Sequence, residues 1–296
     1  MNQLAERIQQ LSHPLAPQPT GVEPVLPTLD GVRAVVFDVY GTLLISGSGD
    51  ISLTSGASHG EAARQAIAAC GLEPPADGEA IVQELRAAIA RSHAASASEF
   101  PEVEIRDIWR ETLATVLPNT GLPTIDTGAV DIERLSVEYE CRVNPIWPMP
   151  GLEETLNALQ QAGVTMGVVS NAQFFTPPAL AVLAGGEWDV LGIADDLCVW
   201  SFAHREAKPG RFLYERATEL LHQRGIRPAE TLYVGNDMRN DVAPAAAVGF
   251  RTALFAGDAR SLRLREGDPL VGDRRPDAVV TDLRQIMPIL SLADRP

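Results

Sequence analysis

Short apolar, β-branched runs recur along this chain with amphipathic stretches between them, and that alternation constrains the fold most. The first run is Ala34-Val-Val-Phe-Asp38, followed closely by Gly41. Similar runs are Val164 to Ser170, Thr231 to Val234, Arg251 to Phe255 and Ala278 to Val280, with a weaker one at Leu197 to Trp200. Each is short enough for a buried strand and too apolar for a strand with one wet face. Helical patterns lie between them. Leu152, Leu156 and Leu159 form an apolar face that stops at Gly163, Phe212 to Leu221 forms another, and Asp282 to Leu290 a third, disturbed by Pro288. Strands alternating with helices predict an α/β fold: a mostly parallel sheet covered on both faces.

The stretch from Ile45 to Trp147 breaks the pattern. It holds Ala-rich helical segments at Glu61 to Cys70 and Gly78 to Ser98, a further one at Arg106 to Leu117, and no convincing strand. A helical block between the first two strands reads as an insertion above the sheet's carboxyl edge, where ligands bind in such folds. Ser46 to Gly60, rich in Ser and Gly, reads as a hinge or loop. Leu4, Ile8 and Leu11 suit a short surface helix, and Pro14 to Pro27 a linker to the body.

Bulk properties narrow the partners. The 296 residues carry 24 basic and 39 acidic side chains, a formal charge of −15. Such a surface repels phosphate backbones and anionic lipid, which disfavours nucleic acid and membrane partners and leaves a small anionic molecule in a local basic pocket. Cys70, Cys141 and Cys198 are odd in number and lack CxxC spacing, which argues against disulfides and structural zinc. With no apolar run of spanning length and a polar N-terminus, the expectation is a cytoplasmic protein. The oligomeric state is open.

Four groups of residues carry chemistry, each at a predicted strand end. Asp38 ends the first strand before a Gly turn, where a carboxylate can act as nucleophile, base or metal ligand, or simply cap the turn. Ser170-Asn171 ends the second, where hydroxyl and N–H groups can hold an oxyanion. Lys208, rigid beside Pro209, can offset charge on a nucleophile and a transferring group. Leu232-Tyr-Val-Gly-Asn-Asp-Met-Arg-Asn-Asp-Val242 crowds acids at a strand exit, a setting that suits Mg²⁺ or a helix N-terminus.

In this order the four groups resemble the haloacid dehalogenase (HAD) superfamily, helical-cap type. Its motifs are a DxxGT nucleophile loop, a Ser/Thr, a Lys and a terminal acid pair. Here they correspond to Asp38 to Thr42, Ser170, Lys208, and Asn236/Asp237 with Asp241. The resemblance runs from about Val32 to the C-terminus and implies a Rossmann-like parallel core with an inserted helical cap. The expected division is an N-terminal helix and linker at 1–30, a core at 31–44 and 148–296, and a cap at 45–147. It implies Asp38, Lys208 and Ser170 as catalytic residues and Thr42 and Asn171 as substrate contacts. The implied Mg²⁺ ligands are Asp38, the Tyr40 carbonyl, Asp237 and Asp241.

The chain departs from the pattern at Tyr40. Phosphatases of the superfamily carry there an Asp that protonates the leaving group, and a phenol replaces it poorly. Asp-Val-Tyr-Gly-Thr resembles instead the 2-haloacid dehalogenases, which displace halide without a proton or a metal. The acid-rich fourth motif points back to phosphatases, with either Asn236 or Asp237 facing the metal. The cap offers no dehalogenase-like anion site: neither Arg64 nor Arg86 has aromatic neighbours in sequence, and Trp109-Arg110 reads as helix packing. His59 is one alternative proton donor, though as an isolated histidine it reads as a surface residue. The balance favours a Mg²⁺-dependent phosphatase of a small metabolite. A metal-free dehalogenase is the alternative, and a binding module without turnover a third.

Overall fold

The structure, a computed structural model, describes residues 3–47, 58–117, 130–186 and 188–291. Most of the Ser/Gly-rich stretch expected as a hinge lies outside the described residues.

Six strands form the expected parallel sheet: β1 (Ala34–Phe37), β2 (Thr165–Ser170), β3 (Ile193–Trp200), β4 (Thr231–Gly235), β5 (Arg251–Phe255) and β6 (Ala278–Val280). Their spatial order is β3-β2-β1-β4-β5-β6. β1 is thus central, pairing Phe37 with Val168 on one side and Val234 on the other. All four residues of β1 are fully buried, which explains its unbroken apolar run. The chain order reverses beside β1, so the carboxyl ends of β1, β2 and β4 open onto one crevice. Asp38, Ser170 and Gly235 stand at those ends.

Helix α1 (Gln3–Leu11) precedes the sheet. Among the described residues, four helices lie between β1 and β2: α2 (Ser58–Ala69), α3 (Gly78–Ala95), α4 (Ile105–Val116) and α5 (Ile132–Val143). They bury their own apolar cluster around Ile67, Ile81, Leu85, Trp109, Leu113 and Leu135. This is the expected helical insertion. α6 (Leu152–Gln161), α7 (Thr176–Leu183) and α8 (Phe212–Gln223) follow, and α6 and α8 bury the Leu-rich faces read from the sequence.

Three expectations at the ends are corrected. α1 is more than a surface helix: Ile8 is buried in the main core, and Arg7 Nε donates to the fully buried Glu138 of α5 at 2.6 Å. The Pro-rich linker is stitched down, because Val25 bridges to Val279 and Leu29–Asp30 pairs in parallel with Leu290–Ser291. The single helix expected over 282–290 is a 3-10 turn and one short helical turn, Ile286–Ile289, then that strand. Pro288 lacks the N–H that a continuing helix would need. No helix among the described residues is long and apolar enough to cross a membrane.

Candidate active site

Asp38 leaves β1 buried, its N–H donating to Val234 O at 2.9 Å. The turn after it requires glycine. Gly41 has φ +85°, and a Cβ there would fall 2.5 Å from Ser261 Cβ. That turn aims the Asp38 carboxylate into a pocket also lined by Tyr40, Asn171, Lys208, Asn236, Asp237 and Asp241.

The two Asp38 oxygens have different surroundings. Oδ1 accepts from Ser170 Oγ at 2.9 Å and from Lys208 Nζ at 2.6 Å. Nothing among the described residues donates to Oδ2. Lys208 Nζ also meets Asp241 Oδ1 at 2.6 Å, so one buried ammonium bridges two buried carboxylates. Burial works to lower the Lys208 pKa, but Asp241 and Asp38 outweigh it and hold the ammonium charged. Burial pushes Asp241 up, against the opposing pull of Lys208. Asp241 is fixed further by the Tyr233 hydroxyl at 3.0 Å and by the Asp237 N–H, which donates to Oδ2 at 2.9 Å.

Other expected residues are close but differently used. Ser170 orients Asp38. Asn171 lines the pocket and clamps the lysine loop, its Oδ1 accepting from Lys208 N at 2.8 Å. Thr42, expected to touch substrate, is fully buried, and its hydroxyl donates to Asn236 Oδ1 at 3.2 Å. It ties the nucleophile loop to the fourth motif. Tyr40 turns its hydroxyl to Thr176 Oγ1 at 2.9 Å. Burial, with Glu140 adding, pushes that phenol far above its ordinary range.

The acid pair is split by a π-turn at Met238–Val242, which accommodates the crowded spacing. Asp237 caps this turn, accepting from Arg239 N and Asn240 N at 2.8 and 3.2 Å. It also meets Arg265 Nη2 at 2.6 Å. Does this donor set fit Mg²⁺? Such ions bind one or two carboxylates and keep water or substrate oxygens, so a full protein cage is not needed. Indeed, no three His, Cys, Asp or Glu side chains among the described residues form one. The Tyr40 carbonyl accepts no hydrogen bond among the described residues, and Tyr40 lines the same pocket as Asp38 and Asp237. These three oxygen donors fit a hard cation. Both acids of the fourth motif already have partners: Asp241 is held by Lys208, Tyr233 and the Asp237 amide, and Asp237 by Arg265 and two backbone N–H groups. Arg265 is the resident countercharge of Asp237, and Lys208 that of Asp241.

A family model described as haloacid dehalogenase-like hydrolase matches residues 32–249. The chain belongs to this family of hydrolases. Among HAD relatives, it is 30% identical over 145 residues to the ribulose-1,5-bisphosphate 5-phosphatase of Halopiger xanaduensis, covering 48% of this chain and 56% of that one. It is 27% identical over 183 residues to a probable phosphoglycolate phosphatase of Pseudomonas putida, covering 61% and 62%. The matches thus span less than two thirds of those relatives. A 2-haloacid dehalogenase of Pseudomonas syringae pv. tomato shares the HAD fold, with TM-score 0.58 and 20% identity over 87% of this chain and 97% of that one.

Several residues escaped the sequence reading. Arg265 and Ser261 come from the loop after β5, where Arg260, Arg263 and Arg265 recur in an acidic chain, a usable signal. The insertion also encloses a cavity of about 300 Å³. Arg86 lines it with Trp109 and Tyr139, aromatic neighbours that are distant in sequence. His59 is buried there, not a surface residue, and burial lowers its pKa. Arg64 lies elsewhere, donating to the Ala76 carbonyl.

Proposed function

We propose that this HAD hydrolase is a Mg²⁺-assisted phosphatase of a small phosphorylated metabolite, working through an aspartyl phosphate on Asp38. The observation that carries the reading is the asymmetry of Asp38. Oδ1 is pinned by Ser170 and Lys208, and Oδ2 has no donor among the described residues in a side chain that lines the pocket. The matched relatives described as phosphatases support phosphorus as the target, as does Asp237 beside the pocket.

The substrate phosphate enters against the Lys208 ammonium and the Asn171 side chain. Asp38 supplies the nucleophilic oxygen and attacks phosphorus in line. Ser170 and Lys208 hold the carboxylate in one orientation, so little of the attack geometry must be found during the reaction. Lys208 stays protonated and spreads the charge that develops on the phosphoryl oxygens. Water then hydrolyses the aspartyl phosphate. Bound at the Asp38 carboxylate, the Tyr40 carbonyl and Asp237, Mg²⁺ would supply further charge neutralisation at that phosphate. Residues 45–147 serve as the cap over this site.

One observation favours a second reading, halide displacement from a 2-haloacid. The Tyr40 phenol is turned to Thr176 and cannot protonate a leaving group, and halide needs no proton. The two readings separate by product. Phosphate release from an aryl phosphate, stimulated by Mg²⁺ and suppressed by EDTA, with no chloride from 2-chloropropionate, supports the phosphatase. Chloride release insensitive to EDTA overturns it.

A further inference from the structure

A phosphatase acting on an alkyl ester needs a proton for the departing alkoxide, and residue 40 cannot give one. In-line attack from Asp38 sends the leaving group away from the sheet edge, toward the helical insertion. Glu140 belongs to that insertion, in the last turn of α5. It makes no ion pair among the described residues. Glu138, one turn-half earlier, is held by Arg7 and Arg142 at 2.6 Å each. Among the described residues, the one hydrogen bond to the Glu140 carboxyl comes from Asn144 Nδ2 to Oε1 at 3.1 Å. Asn144 in turn accepts from Ser46 Oγ at 2.8 Å, and Ser46 lines the catalytic pocket. Oε2 accepts nothing among the described residues and is the oxygen left to carry a proton.

Glu140 also lines the insertion cavity, with Val82, Leu85 and Phe175 as apolar walls. It thus lines that cavity and is joined through Asn144 to Ser46 of the catalytic pocket. The titratable and charged groups around it are Tyr40 from the nucleophile loop, Tyr139 and Cys141 on its own helix, His59 of α2, Arg86 and His93 of α3, and Glu102. Burial raises its carboxyl to about 7, with only Asn144 pulling the other way. A carboxyl in that range is protonated often enough at neutral pH to act as an acid.

We propose that Glu140 is the proton donor to the leaving group, in place of the carboxyl that residue 40 lacks. The proposal rests on the phosphatase reading. As an Asp38 oxygen bonds to phosphorus, the bond from phosphorus to the ester oxygen breaks and its electron pair stays on that oxygen. The Glu140 proton moves to it, and the alcohol leaves. Water then attacks the phosphoryl group, Asp38 departs as carboxylate, and the water's proton returns to Glu140.

The test compares one alkyl phosphate with 4-nitrophenyl phosphate, whose leaving group needs little protonation, in wild type and Glu140→Gln. The ratio of alkyl to aryl kcat/KM should fall roughly 100-fold or more in Glu140→Gln, in the range of general acid catalysis. The falling limb of the alkyl pH profile near neutrality should vanish with it, and Glu140→Asp should restore part of the ratio. An unchanged ratio overturns the proposal, as does an equal loss on both esters in a variant at least as stable as wild type. If wild type releases no phosphate from either ester, the phosphatase reading fails first and takes the proposal with it. Phosphate release abolished by Asp38→Asn, with an unchanged Glu140→Gln ratio, sinks the proposal alone.

Discussion

Lys208 Nζ lies 2.6 Å from Asp38 Oδ1, with both side chains buried. Because the same ammonium lies 2.6 Å from Asp241, removing it strands two buried carboxylates. Lys208→Met should cost about 3–5 kcal/mol of stability, the usual penalty for breaking a buried ion pair. Adding Asp241→Asn should recover part of that loss, because one of the stranded charges is gone. Urea melts of the single and double variants check this. Activity should fall about 10²–10³-fold in both, the scale of one lost charge-stabilising donor.

Metal affinity should separate the two acids of the fourth motif. Asp237→Asn should weaken Mn²⁺ binding, read by electron paramagnetic resonance, by roughly tenfold or more. Arg265→Ala should strengthen it, since the guanidinium at 2.6 Å competes for the same carboxylate. Asp241→Asn should change Mn²⁺ affinity less than Asp237→Asn. Tighter dependence on Asp241 than on Asp237 would reverse the assignment.

The alternation of strands and helices was legible because a buried parallel strand must be apolar on both faces, and Ala34 to Phe37 is. Asp38, Ser170 and Lys208 were legible because strand ends on one sheet edge converge whatever the loops do. What could not be read was direction and distant proximity. Thr42 looked like a substrate contact until its hydroxyl was seen on Asn236. Asp237 and Asp241 are close in sequence, but the π-turn points one at Arg265 and the other at Lys208, a divergence their spacing does not show. Glu140, Asn144 and Ser46 form a hydrogen-bonded chain across 94 positions, from Ser46 to Glu140, with no local signature.

Glu140 also makes stability depend on pH. Its folded carboxyl titrates at about 7 against an ordinary 4.5. The folded state therefore binds this proton more tightly than the unfolded chain. That contribution is fully present below about pH 4.5 and is lost as pH rises to 7. Discounted for partial exposure, the loss is on the order of 1–2 kcal/mol. Glu140→Gln should be more stable than wild type by that amount at pH 8, and the difference should shrink toward pH 4. Denaturant melts across that range would contradict the account if the gap grew on acidification.

Gly41→Ala should be disproportionately harmful for one methyl group. The new Cβ would need a left-handed backbone and would collide with Ser261. A loss of roughly 2 kcal/mol or more is expected from strain and overpacking together. Because this turn aims Asp38, kcat should fall with it. A variant with wild-type melting and turnover would show that the loop has other ways to turn.

The covalent role of Asp38 is tested most directly by acid-quenching the enzyme during turnover of an aryl phosphate, digesting it, and locating modification by mass spectrometry. The account predicts a phosphoryl group on Asp38 that appears within the first turnover, decays when substrate is exhausted, and is absent from Asp38→Asn. Steady phosphate release with Asp38 unmodified, or with the phosphoryl group on another residue, would contradict it.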